Sequence, residues 1–150
     1  MRFEPIAIVG RGSVLPDALD PDAFWANVAA GRVSLSPAPD GRWRVPHQTM
    51  MTTPDAPADG TWSDVGGYVR GFEQIFDPTG FEVPGIERLD PQVQWVLHGV
   101  RAALREAGQD GPLPTAGLVL GNLSFPTAGM AEYAEQVWRG GQRPDRKRVV

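Results

Sequence analysis

The sequence predicts an α/β fold in which strands of a parallel sheet are joined through helices. Three observations carry that expectation. Two short apolar runs, Pro5–Gly10 and Ala116–Gly121, have the continuous hydrophobic character of strands covered on both faces. Between them, residues 90–108 carry apolar side chains at helical spacing. A helix that intervenes between two buried strands returns the chain to the same end of the sheet, so the two are expected to run parallel.

The first run, Ile6-Ala7-Ile8-Val9, is closed by Gly10-Arg11-Gly12, a tight exit from a strand. Asp20-Pro21 then opens a short helix: Asp accepts from free N–H groups of the first turn, and Pro at the first helical position lacks only a donor that would be unused. Phe24, Trp25, Val28 and Ala29 share one face of it, and Gly31 supplies a left-handed stop. From residue 32 to 66 no period of either kind is sustained around Trp43 and Trp62. So long a loop is expected to lie as surface structure against something outside it. Gly67-Tyr68-Val69 restarts order as a short strand or hairpin arm, and Phe72, Ile75, Phe76 and Phe81 form an aromatic cluster broken by Pro78, Gly80 and Pro84.

The clearest element runs from Asp90 to Gly108. Asp90 caps it, Pro91 occupies the first turn, and Val93, Val96, Leu97, Val100, Ala103, Leu104 and Ala107 form one stripe. Gly108 ends it. After the second strand-like run, Ala128–Arg139 is expected to be a third helix, with Met130, Tyr133, Ala134, Val137 and Trp138 facing inward. The tail holds Arg139, Arg143, Arg146, Lys147 and Arg148 against Asp145 alone and reads as a solvated linker.

Composition narrows the function classes. The chain has 150 residues, enough for one modest domain or part of a larger one, and its 41% hydrophobic and 21% charged residues are ordinary for a globular protein. A formal net charge of −4 argues against a nucleic-acid partner. Without cysteine there is no disulfide, no thiolate nucleophile and no Cys-ligated zinc. The N-terminal apolar run is too short for a secretory signal, and the uncharged stretch Gly111–Ala131 is interrupted by Pro112, Pro114 and Pro126. No membrane span and a cytoplasmic location are therefore expected.

Individual motifs add little chemistry. Gly10-Arg11-Gly12 suggests a dinucleotide-binding turn, but Leu15 stands where the third glycine belongs. His98 reads as a partly buried, hydrogen-bonded structural histidine, and His47 lies in the loop with no carboxylate pattern around it. Asn122-Leu123-Ser124-Phe125 follows the end of the second strand-like run. Ligands gather at the carboxyl ends of strands in α/β sheets, so this turn is the local candidate for lining a pocket.

The order of these signals resembles the N-terminal part of a β-ketoacyl synthase. The likeness rests on Glu4-Pro5-Ile6-Ala7-Ile8-Val9-Gly10, Asp20-Pro21-Asp22-Ala23-Phe24-Trp25, Gly66-Gly67-Tyr68, Phe76-Asp77, Asp90-Pro91-Gln92, Glu106-Ala107-Gly108 and Gly117-Leu118-Val119-Leu120-Gly121. It is similar to modular polyketide synthases and, through Gly121-Asn122-Leu123-Ser124-Phe125-Pro126, to ketosynthases of polyunsaturated fatty acid and enediyne synthases. Two departures stand out. Gly10-Arg11-Gly12-Ser13-Val14 replaces the Gly-x-Gly-Cys-Arg of many members, and the loop from Trp43 to Trp62 is less regular than theirs.

The resemblance implies a thiolase-like fold of layers αβαβα, of which residues 4–150 would form only the first part of the N-terminal half. It implies a decarboxylative Claisen condensation in polyketide or fatty acid biosynthesis, a homodimer, and an acyl carrier protein whose phosphopantetheine carries the substrates. The nucleophilic cysteine and two histidines of the family come later than residue 150, so no residue here takes a catalytic role and no cofactor or metal is expected in this span. Leu123 and Ser124 are the candidate pocket wall. The alternative is part of a non-catalytic partner subunit of chain-length-factor type, and a nucleotide-binding domain ranks behind both. A truncated half-sheet leaves an open edge and an uncovered helix face, so the chain alone is expected to be inactive and to associate.

Overall fold

A computed structural model of the chain describes residues 4–43, 46–52 and 60–121, together with 129, 130, 133 and 137. Among the described residues four α-helices have defined bounds: α1 (Pro21–Ala29), α2 (His47–Met50), α3 (Phe72–Ile75) and α4 (Pro91–Glu106). Two 3-10 turns, Pro78–Gly80 and Ile86–Arg88, lie between α3 and α4. The chain divides into two units, Met1–Arg32 with Val69–Leu123, and Val33–Tyr68 with Ser124–Val150.

In the first unit the helices start and stop where local chemistry dictates. The Asp20 carboxylate accepts from the Ala23 N–H at 2.8 Å at the head of α1, and Asp90 accepts from the Gln92 N–H at 2.9 Å at the head of α4. Both helices end alike. The N–H of Gly31 reaches the Val28 carbonyl and that of Arg32 the Asn27 carbonyl, while Gly108 and Gln109 make the same two bonds to Arg105 and Leu104. Gly31 and Gly108 have φ of +62° and +68°, which glycine adopts without the Cβ penalty other residues meet.

The core of this unit is small. Ala18, Phe72 and Ile86 are buried. The Phe72 ring stacks on Phe76 at 5.2 Å between centroids and meets Trp95 and His98 of α4 edge-on at 6.3 and 5.4 Å. Gln94, also on α4, donates to the carbonyls of Ile86, Glu87 and Leu89 at 3.2, 3.1 and 3.0 Å, so the helix holds the turn that precedes it. The expected aromatic cluster thus exists, and α4 is its wall.

One expectation about this unit is corrected. Neither Pro5–Gly10 nor Ala116–Gly121 forms a strand, and neither is buried: Ile6 is 96% and Val119 95% exposed. A strand of parallel type is stabilised by neighbours that pair its backbone and cover both faces. Among the described residues β-pairing is limited to three isolated bridges. The apolar face of α1 is open, as expected of a helix face left uncovered, with Phe24, Trp25 and Val28 all exposed. The stripe of α4 is only partly covered, since Val93, Val96 and Val100 remain about 40% exposed.

In the second unit the described part of the stretch read as a long surface loop is mostly irregular but holds local order. It is tied to itself by an antiparallel bridge, Ser36 to Gly66, and a parallel one, Met51 to Thr61, and Met50 of α2 is buried. Ser36 and Gly66 meet only as an isolated bridge, and Gly67-Tyr68-Val69, expected as a short strand or hairpin arm, is neither, since no backbone among the described residues pairs with it. Of the expected third helix, Gly129, Met130, Tyr133 and Val137 are helical, and the last three are exposed where an inward face was expected. The rest of that stretch and the basic tail lie outside the described residues.

Candidate functional site

In the first unit the chain after the first apolar run lies directly on α4. A Cβ on Gly10 would overlap the carbonyl of Ala103, and one on Gly12 the carbonyl of Gly99. Two residues of extended chain advance about 6.6 Å and four helical residues about 6 Å, so alternate glycines step along α4 one turn at a time. Here Gly-x-Gly serves close packing of backbone on backbone. That assigns the motif a structural task in place of the pyrophosphate contact weighed for it.

Arg11, between those glycines, points to the end of α4. Its backbone N–H and its guanidinium both donate to the Glu106 carboxylate, with Nε 3.0 Å from Oε1. These bonds, and secondarily the opposite charge, hold the Glu106 carboxyl below the ordinary glutamate range. A carboxylate in the last turn of a helix is disfavoured by the helix dipole, and Arg11 offsets that.

A second polar node surrounds Arg101. Its guanidinium lies over the Phe81 ring at 5.0 Å, donates to the Asp77 carbonyl at 3.3 Å and sits 3.5 Å from the Asp77 carboxylate. Gly80 makes room for it, because a Cβ there would overlap the guanidinium. Asp77 accepts from the Thr79 hydroxyl at 2.6 Å and the Thr79 N–H at 3.0 Å; the hydroxyl is the main reason its carboxyl is held below the usual range. One turn away along the helix, His98 is depressed by burial first and then by the charges of Arg101 and Arg105. The neutral form is thereby favoured, and the ring lies edge-on to Phe72; the partial burial expected of it is seen, while among the described residues ring packing and not the expected hydrogen bond holds it.

The second unit contains the pair that sequence inspection missed. The Nε2 of His47 is 2.9 Å from Oδ2 of Asp64, and its ring stacks on Trp43 at 5.0 Å. Tyr68 donates its hydroxyl to the Asp64 carbonyl at 2.8 Å. Asp64 is seventeen residues from His47 and joins it only because the loop closes on itself, so no local spacing signals the pair. The arrangement orients an imidazole.

Leu123 and Ser124, the candidate pocket wall, lie outside the described residues. The run that leads to them, Leu118 to Leu120, is exposed. Among the described residues no group of three His, Asp or Glu is placed to hold a metal ion, and no helix is long and apolar enough to cross a membrane. Two open hollows of the first unit lie along α4. One of about 430 Å³ is lined by Ser13, Trp95, Val96 and Gly99, and another of about 490 Å³ by Phe81, Arg101, Arg105 and Gln109.

Comparison with known proteins gives these elements a context. The family described as "Beta-ketoacyl synthase, N-terminal domain" matches residues 3–143. The chain is 33% identical over 107 residues to "Polyketide synthase ThaG" of Burkholderia thailandensis, covering 70% of this chain and 2% of that protein. It is 32% identical over 107 residues to "Polyketide synthase PksN" of Bacillus subtilis, again 70% of this chain and 2% of the relative. Against "Phenolphthiocerol synthesis polyketide synthase type I Pks15/1" of Mycobacterium bovis it is 34% identical over 127 residues, 79% of this chain and 6% of that protein. The matches thus take in only a few per cent of these relatives' length. No solved structure matches the chain.

Proposed function

The chain belongs to the β-ketoacyl synthase family, as its N-terminal domain, and from that premise we propose that it forms the opening portion of a ketosynthase that extends acyl chains in polyketide synthesis. The observation that carries this reading is the family match over residues 3–143, with the motifs in family order. Ketosynthases are condensing enzymes. The finer activity proposed is a decarboxylative Claisen condensation on acyl groups held as phosphopantetheine thioesters by an acyl carrier protein.

Under this reading the described residues act as scaffold. The runs Ile6–Val9 and Leu118–Leu120 are strands of a thiolase-like sheet once further polypeptide pairs with them, and α4 is a layer laid against that sheet. Their high exposure is what such surfaces show before they are covered. Leu123 and Ser124, just past the second strand, form one wall of the acyl pocket. The attacking sulfur is not among these 150 residues and none of them is assigned a catalytic role, so under this reading the domain pairs as a homodimer in the cytoplasm and this chain alone is inactive.

The test is acyl transfer from a radiolabelled acyl carrier protein, run on the 150-residue chain and on the product of the reading frame extended downstream. The expected result is no label on the first. The second should carry a thioester-bound label on a cysteine in a small-residue turn, within about 50 residues of Val150. Label on the 150-residue chain contradicts the proposal. An extended product that takes no label and has glutamine or another residue at that turn identifies a chain-length-factor-like subunit instead. A sharp, concentration-independent melt of a monomeric 150-residue chain argues for a self-sufficient small domain.

A further inference from the structure

We draw no further inference here: the strongest candidate, the hollow of about 430 Å³ in which the Ser13 hydroxyl lies unpartnered beside Trp95, Val96 and Gly99 of α4, carries nothing because it opens on a partly exposed apolar helix face and nothing in the structure shows what covers it.

Discussion

Gly12 rests on Gly99 so closely that only one of the two has room for a side chain. A Cβ on Gly12 would overlap the Gly99 carbonyl, whereas a Cβ on Gly99 meets nothing nearer than the Gly12 carbonyl carbon at 4.0 Å. Two glycines in the same contact therefore have opposite tolerances. Gly99→Ala should stabilise α4 by about 1 kcal/mol, the propensity difference between Gly and Ala in a helix interior. Gly12→Ala should destabilise by about 1–3 kcal/mol, because backbone must move to admit the methyl. Urea titrations followed by helical circular dichroism distinguish the two, and equal effects of the same sign would refute the packing described.

Arg11 and Glu106 make a pH-dependent clasp. The Glu106 carboxyl is held below its ordinary value chiefly by the Arg11 hydrogen bonds. A depressed carboxyl contributes stability that is fully present above the unfolded-state value, about 4.3, and is lost as pH falls through the lower folded value. The Arg11 amide resonance should therefore hold steady from neutral pH through the usual glutamate range and shift only in stronger acid. Glu106→Gln should abolish that titration. High salt should weaken the clasp, since both side chains are substantially exposed.

Asp17 stands where a turn calls for glycine. Among the described residues it is the non-glycine residue with positive φ, +57°, in a turn in which Leu15 and Ala18 exchange backbone bonds of 2.9 and 3.1 Å. Pro16 before it fits the first central position of a type II turn, whose second central position favours Gly or Asn. Asn27 donates to the Asp17 carbonyl, which any substitution keeps, and the Arg32 ion pair at 3.7 Å is exposed and weak. Asp17→Gly should raise stability by about 1 kcal/mol by removing the left-handed penalty. A lower urea midpoint in that variant would show that the carboxylate matters more than the backbone.

At Asp77 a hydrogen bond outweighs a charge. Thr79 lowers its carboxyl more than Arg101 does. Thr79→Val should therefore move the Asp77 titration upward by more than Arg101→Gln does, and carbon-detected NMR of the carboxyl reads both. The reverse order would mean that the guanidinium sits closer in solution than 3.5 Å from the carboxylate.

What the sequence determined by itself was whatever depends on a few neighbouring residues. Asp20, Pro21, Gly31, Asp90, Pro91 and Gly108 delimit α1 and α4 because caps and left-handed stops act within one turn. The order of short motifs along the chain was legible too, and the family match agrees with it. Only the tertiary structure decided which distant groups meet. It joined His47 to Asp64 by closing the loop, set Gly10 and Gly12 on the backbone of α4, and brought Arg11 to Glu106. It also left the two strand-like runs unpaired, because a hydrophobic run states only that a segment prefers burial, while a strand exists when another segment supplies the hydrogen bonds and the covering surface.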